Sequence, residues 1–133
     1  LFRSIATLIV VGEPVPITIG HVNVVWQGYA NEVVLRSLTH ASPEVFTINL
    51  TGPELLEVRD VAHRFAELFG TDARFTGSPG PTALLSDSTR CITMFGRPDV
   101  TADRLIQWQA QWMLDGLPMT GKPTKWAVRD GRF

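Results

Sequence analysis

The alternation of strand-like and helix-like stretches is the feature that most limits how this chain of 133 residues can fold. Strand-like runs occur at 22–26 and 44–50, and each is followed by a run with helical spacing of apolar residues, at 29–40 and 57–69. A third short strand is predicted at 73–77. Strands that alternate with helices at this spacing are typical of α/β units.

Three more helices are predicted, and they outweigh the strands. Their apolar spacing and end signals give ranges of 2–11, 87–95 and 102–115, and Thr101 precedes the last of them as a capping residue. About three short strands therefore accompany about four helices, since 87–95 is short. The expected fold is α/β with an incomplete sheet.

The last predicted helix carries two tryptophans on one face. Trp108 and Trp112 are four residues apart and lie on the same side as Leu105. Aromatic residues at helical spacing are more often part of a core than a platform for a ligand. We therefore expect both rings to be buried.

Composition and charge exclude several classes of function. The net charge is -1 and the charges are scattered, so the basic stripe of a nucleic-acid-binding protein is absent. The longest apolar run, at 8–11, is too short to cross a bilayer. The single Cys91 excludes an internal disulfide, and no charged leader precedes a long apolar segment, so a cytoplasmic protein is expected.

Motifs for cofactor, metal or nucleophile chemistry are missing from the sequence. The glycines never form the G-x-G-x-x-G spacing of a dinucleotide loop, and no G-x-S-x-G turn is present. The three histidines stand apart and one cysteine cannot make a thiolate site, so no metal site is expected.

An ordered series of segments carries a resemblance to a known family. The segments are "VNVVWQGYANEVVLRSLTHA", "EVFTINLTGPELLEVRDVAHRFAELFG", "SDSTRCITMFGRPDV" and "LIQWQAQW". In this order they resemble the C-terminal part of an NAD-dependent epimerase/dehydratase of the extended short-chain dehydrogenase/reductase family. The resemblance covers nearly the whole chain, although no single segment is diagnostic.

The resemblance implies a division of labour with a part of the protein outside this sequence. Residues 1–133 would form the C-terminal substrate-binding domain, a portion of a Rossmann-type epimerase, while the N-terminal cofactor-binding part would hold NAD or NADP. The family's Tyr-x-x-x-Lys pair is absent, because the only tyrosine is Tyr29 and the residue four positions later is Val33. We therefore expect this chain alone neither to catalyse the family reaction nor to bind the dinucleotide tightly.

The turn after the first predicted strand is the expected substrate-facing region. In the family this turn lies at the carboxyl edge of the sheet, where α/β folds bind ligands. Trp26, Gln27, Tyr29 and Asn31 would then line the substrate cleft. The alternative for Trp26 and Tyr29 is that their rings fill the space between sheet and helix.

Two departures from the family pattern bear on the substrate. Relatives that act on nucleotide sugars carry an arginine before this strand, where the only candidate here is His21, and a second in a later loop. That loop is the neutral "GSPGPTALL", in which Thr82 is the expected contact. A diphosphate needs fixed cations or several backbone donors, so a nucleotide-diphosphate sugar is not the expected substrate.

Two functions remain open from the sequence. The first is the substrate-binding portion of an NAD(P)-dependent epimerase, dehydratase or reductase that acts on a sugar-like or carbonyl substrate. The alternative is a regulator that binds a ligand or partner on the same fold without chemistry. In either case we expect this chain by itself to self-associate through residues 1–11 or through the strands at 22–26 and 45–49, which a cofactor domain would otherwise cover.

Overall fold

The computed structural model describes residues 1–83, 85–121 and 126–127. Within them it has five α-helices: α1 Phe2–Val10, α2 Gln27–Ser37, α3 Val58–Phe69, α4 Thr89–Phe95 and α5 Ala102–Leu114. A 3₁₀ turn, Leu38–His40, continues α2. The described strands are β1 Val15–Pro16, β2 His21–Val22, β3 Leu56–Glu57 and β4 Phe75–Thr76. The fold is α/β with few short strands, as the sequence predicts, and has five helices where about four were expected.

The strands form two separate pairs. β1 and β4 are parallel, with Val15 opposite Phe75, whereas β2 and β3 are antiparallel, with His21 opposite Glu57. Each strand has two residues, so the ladders contribute few backbone hydrogen bonds. The helices and their packing therefore carry most of the structure.

The chain divides into two compact units. The first unit contains the described residues of Leu1–Val22, Leu56–Leu84 and Ile106–Phe133. The second unit contains Asn23–Leu55 and the described residues of Leu85–Leu105. Each unit has its own cluster of buried apolar side chains.

The first unit is built around the contact between α1 and α3. Phe65 of α3 is completely buried and meets the ring of Phe2 edge-on. α3 ends at Gly70, whose positive φ of 65° suits a residue without a Cβ. Twelve buried residues form this core: Ile5, Ala6, Ile9, Val15, Ile17, Val58, Val61, Ala62, Phe65, Ala66, Ile106 and Ala110. Burial of each larger side chain contributes about 1.5–3 kcal/mol.

The second unit has a smaller core and more polar ties. Its buried apolar residues are Tyr29, Val33, Cys91 and Phe95. The helix α5 begins in this unit with a cap of the predicted kind, because the hydroxyl of Thr101 accepts the backbone N–H of Arg104 at 3.2 Å. The carboxylate of Glu54 accepts the backbone N–H of Ala102, the first residue of α5, at 2.8 Å.

The prediction of a strand at 44–50 is wrong, although the side chains there alternate in burial as those of a strand would. All seven residues are described, and none is in a strand. Phe46, Ile48 and Leu50 are nevertheless half-buried, while the residues between them are exposed. Arg90 ties this segment from outside, since it donates to the carbonyl oxygen of Thr47 at 3.1 Å and covers the ring of Phe46. Alternating burial therefore arises here without a pairing strand.

The predicted strand at 22–26 is also mostly wrong, since β2 includes only Val22 of that range. The backbone around Val24 instead lies against Gly52. A Cβ on Gly52 would lie 2.0 Å from the carbonyl oxygen of Val24, so only glycine permits this approach. The contact joins the segment to the one that follows 44–50.

The two tryptophans of α5 are not buried as predicted. Trp108 is 42% exposed and Trp112 is 45% exposed, and Trp112 donates its ring N–H to the carbonyl oxygen of Pro118 at 3.1 Å. The core contacts of α5 come from the small Ala110 and from Ile106. None of the helices in the described chain has both the length and the apolarity needed to cross a bilayer.

Candidate functional site

A polar cleft of about 350 Å³ lies within the second unit. This volume falls at the lower end of the range for small-molecule sites. The segment from Ser86 to Arg97 forms much of its lining, together with Asn23 and the turn at Gly52 and Pro53. Hydroxyl, amide, carboxylate and guanidinium groups are all present, so the cleft can both accept and donate hydrogen bonds.

Asn23 fixes one side of the cleft. Its amide nitrogen donates to the carbonyl oxygen of Ser86 at 2.7 Å, and its amide oxygen accepts the backbone N–H of Ser86 at 3.5 Å. A side chain that holds both backbone groups of one residue restrains that residue strongly. The start of the lining segment is therefore positioned by Asn23 before any ligand arrives.

Asp87 is the acidic group of the cleft. Its carboxylate accepts the backbone N–H of Thr89 at 2.9 Å. The hydroxyl of Thr89 and then this N–H lower the pKa of Asp87, because both hydrogen bonds favour the charged form. The cleft therefore holds a negative charge at neutral pH.

Ser88 is the most buried polar residue of the lining. It is only 5% exposed, yet its side chain makes no capping hydrogen bond at the start of α4. Ser88 is one of the lining residues of the cleft, and no hydrogen bond of its hydroxyl occurs within the described chain.

Arg97 is the cationic group of the cleft, and the backbone before it is held twice. The phenol of Tyr29 donates to the carbonyl oxygen of Gly96, and Arg36 donates to that of Phe95 at 2.7 Å. Arg97 itself is exposed, and no hydrogen bond or ion pair of its side chain occurs within the described chain. Its guanidinium is free to meet an acceptor from solution.

The residues expected from the sequence are distributed over both units. Gln27 and Asn31 lie together on the exposed side of α2, where the amide of Gln27 donates to the side-chain oxygen of Asn31 at 2.9 Å. Trp26 precedes α2 in an extended conformation and is 37% exposed. Its ring lies over Gly28, since a Cβ there would come within 2.3 Å of a ring carbon.

Tyr29 is placed differently from its neighbours. It lies in the core of the second unit and its hydroxyl is used by Gly96, with the sulfur of Cys91 at 4.0 Å. Burial, followed by the contact with Cys91, raises the pKa of Tyr29 to about 12. This arrangement favours the packing alternative for Tyr29, since a buried ring has little surface to offer a ligand.

His21 and Thr82 belong to the first unit. His21 is exposed in β2, opposite Glu57 of β3. Thr82 is exposed beyond the proline-rich loop. This loop packs against residues 18–20, where Gly80 donates its N–H to the carbonyl oxygen of Thr18 at 3.0 Å. The prediction that both residues contact a substrate remains a prediction.

Sequence reasoning missed the residues that line the cleft. From the sequence, Asn23 is predicted to lie in a strand, and the segment from Ser86 is assigned a helix and a part in the family resemblance but no ligand contacts. A usable signal was present, because Asp87, Ser88 and Thr89 are three polar residues in a row before the apolar positions of α4. Nothing in the sequence pointed to Asn23 as their partner, because the contact spans 63 residues.

Metal chemistry finds no support in the side-chain clusters of the described residues. Nowhere in residues 1–83, 85–121 and 126–127 do three His, Cys, Asp or Glu side chains come together in a way that could hold an ion. What the described cleft can do is bind a hydroxylated or charged small molecule by hydrogen bonds.

Comparison with known proteins identifies the fold. The sequence matches no known protein family and no curated protein. Among solved structures, the chain is similar to a UDP-glucuronic acid 4-epimerase from Bacillus cereus in complex with NAD, with a TM-score of 0.69 at 13% identity. The match covers 88% of this chain and 40% of that one, so this chain spans less than half the length of the epimerase. The chain therefore has a fold similar to that of part of this epimerase.

Proposed function

We propose that this chain is the C-terminal substrate-binding portion of an NAD(P)-dependent epimerase, dehydratase or reductase. Its substrate is a sugar-like or carbonyl compound, and hydride and proton transfer belong to an N-terminal part that binds the dinucleotide. The observation that carries the proposal is the fold similarity to the NAD-bound epimerase over 88% of the chain. The ordered segments of the sequence support the same assignment.

The residues of the chain fit a binding role without catalysis. Tyr29, the only tyrosine, is buried and lacks a lysine four positions later, so it cannot serve as the acid/base of the family. The polar cleft offers hydrogen bonds of both kinds and a single guanidinium, that of Arg97. These groups can orient a substrate while another part of the protein performs the reaction.

Trp26, Gln27 and Asn31 are proposed as substrate contacts of the complete protein, and the same role is proposed separately for His21 and for Thr82. In the full-length protein Gln27→Ala should slow turnover while the melting temperature stays nearly constant, because the Gln27 side chain is exposed. A variant at an exposed position on the same helix, Leu35→Ala, serves as the control. A large loss of stability with normal kinetics would instead assign Gln27 to packing.

The reading frame upstream of Leu1 provides the decisive test of the proposed function. We expect it to encode a glycine-rich dinucleotide loop and a Tyr-x-x-x-Lys pair. The complete protein should then bind NAD or NADP at micromolar concentration in a calorimetric titration, and residues 1–133 alone should not. Micromolar binding by the 133-residue chain, or absence of either upstream motif, would contradict the proposal; missing motifs would favour a regulator without chemistry.

Self-association of the isolated chain through residues 1–11, or through the segments at 22–26 and 45–49, is part of the proposal. Ile5 and Ile9 of α1 pack within the first unit, whereas Val10, Val11 and Val45 are exposed. Light scattering coupled to size exclusion should detect species above 14.7 kDa; a monodisperse monomer at high concentration would refute self-association.

A further inference from the structure

The polar cleft of the second unit carries three groups whose bonding capacity is not used by the protein's own packing. Ser88 lines the cleft, and its hydroxyl has no capping role at the start of α4. The guanidinium of Arg97 meets no acceptor in the described chain. Asp87 accepts hydrogen bonds from Thr89 only, and a carboxylate has lone pairs for more.

The charges of these groups restrict the ligand. Among the described residues that line the cleft, Arg97 is the only cation, and Asp87 is an ionised acid in the same lining. A diphosphate would bring two or more negative charges to a cleft whose own charges already balance. A ligand with one negative charge can pair with Arg97 and keep Asp87 as a hydrogen-bond acceptor.

We infer that this cleft binds a small polyhydroxylated carboxylate, with its carboxylate at Arg97 and its hydroxyls at Asp87 and Ser88. A planar guanidinium pairs with a carboxylate through two parallel hydrogen bonds, which an uncharged polyol cannot form. As a statement about substrate class the inference rests on the proposed function. As a statement about binding it applies to the 133-residue chain alone.

The fold holds Arg97 in place for such a ligand. Tyr29 and Arg36 bind the carbonyl oxygens of the two residues immediately before it. The polar side of the cleft is fixed in turn by Asn23, through Ser86. Both sides are thus organised by contacts within the second unit, which reduces the ordering that a ligand has to impose.

A pair of six-carbon probes tests the inference directly. Gluconate carries a carboxylate and five hydroxyls, and sorbitol is its uncharged counterpart. In calorimetric or NMR titrations of the 133-residue chain, gluconate should bind at least about tenfold more tightly than sorbitol, as expected for one charge-assisted contact. Amide resonances of Ser88, Thr89 and Arg97 should shift with gluconate.

Two variants and one control assign the contacts. Arg97→Gln should abolish the preference for gluconate over sorbitol, whereas Arg104→Gln, which removes a charge outside the lining of the cleft, should preserve it. Ser88→Ala should weaken the binding of both probes while the melting temperature stays constant, because its hydroxyl stabilises nothing within the described chain. A lower melting temperature with unchanged affinity would show instead that Ser88 is structural.

Three results would overturn the inference. They are equal binding of gluconate and sorbitol, a gluconate affinity unaffected by Arg97→Gln, and inorganic phosphate binding as tightly as gluconate, which would indicate a simple anion site. None of them touches the proposed function, because the cofactor titration of the complete protein is a separate measurement. Absence of dinucleotide binding there would leave the cleft assignment standing.

Discussion

The two units of this protein are stabilised in different ways. Among the described residues, the first unit buries a core of twelve and relies on the packing of α1 against α3. The second unit buries four described core residues. It is also held by side chains that donate to distant backbone carbonyl oxygens: Asn23 to Ser86, Arg36 to Phe95 and Arg90 to Thr47. Its candidate ligand site occurs among these polar ties.

The difference follows from what each type of contact can do. Apolar burial stabilises in proportion to area and has no direction, so it packs a unit tightly but does not by itself position polar groups. Hydrogen bonds from side chains contribute only about 0.5–1.5 kcal/mol each, but they fix positions and leave other polar groups available. A binding site benefits from the second arrangement even though it is less stabilising.

The largest expected effect comes from the first core. Phe65→Ala should lower the free energy of unfolding by about 3–5 kcal/mol, because a fully buried ring leaves a cavity. The matched change in the second unit, Phe95→Ala, should have a smaller effect because its core is smaller. Urea titration followed by tryptophan fluorescence measures both, and an equal or larger loss for Phe95→Ala would contradict the comparison.

The close approach at Gly52 is the next test. Gly52→Ala should lower the free energy of unfolding by about 1–3 kcal/mol. The added Cβ would collide with the carbonyl oxygen of Val24, which cannot move without displacing the backbone of that residue. Gly121→Ala is the control, because a Cβ at that position meets nothing within 4 Å. Equal melting temperatures for the two variants would mean that the contact between 52 and 24 does not form in solution.

Tyr29 provides a pH test of the second core. The pKa of its phenol is raised from 10 to about 12, so the stability it confers is complete below pH 10 and is lost as the pH rises towards 12. As the only tyrosine, it can be followed by the ultraviolet absorbance of the phenolate, which should appear near pH 12 in the folded chain and near pH 10 in denaturant. Titration near pH 10 in both states would place Tyr29 outside the core.

Removal of its hydroxyl should have a modest cost at neutral pH. Tyr29→Phe should destabilise by about 1 kcal/mol, through loss of the hydrogen bond to Gly96, and should remove the alkaline decline due to this group. Because that bond holds the backbone before Arg97, affinity for gluconate should also fall. Unchanged affinity would exclude Tyr29 from positioning Arg97.

A surface ion pair of the first unit gives the smallest expected effect. A guanidinium nitrogen of Arg64 lies 3.0 Å from a carboxylate oxygen of Glu67 on α3, and both side chains are more than one-third exposed. Arg64→Gln should change the free energy of unfolding by less than about 0.5 kcal/mol, because water and salt screen the pair. A loss above about 1 kcal/mol would show that polar surface contacts also matter in the first unit.

The sequence predicted the helices well because their signals are local. Three such signals occur as predicted: the apolar stripe of α3, its terminal Gly70 and the cap at Thr101. Each depends on residues within about one turn of each other. The strands were predicted poorly, since a strand exists only where a partner is available. Residues 44–50 have the alternation of a strand, but their tie to the rest of the unit is a side chain, Arg90.

The expected site residues follow the same division. Gln27 and Asn31 lie on the exposed side of α2, which the helical period could predict. The burial of Tyr29 depends instead on α4, whose Cys91 contacts it from 62 positions along the chain. Trp108 and Trp112 have the spacing of core residues yet are exposed. Helical period identifies which residues share a face but not which face meets a neighbour.

The sequence by itself therefore determined the α/β class, the positions of the helices and the absence of a dinucleotide loop. Only the tertiary structure brought Asn23 to Ser86 and created a cleft with Asp87, Ser88 and Arg97 in its lining. The physical reason is the range of the interactions. Helix periodicity and caps act over a few residues, while a cleft depends on contacts between segments more than 60 residues apart.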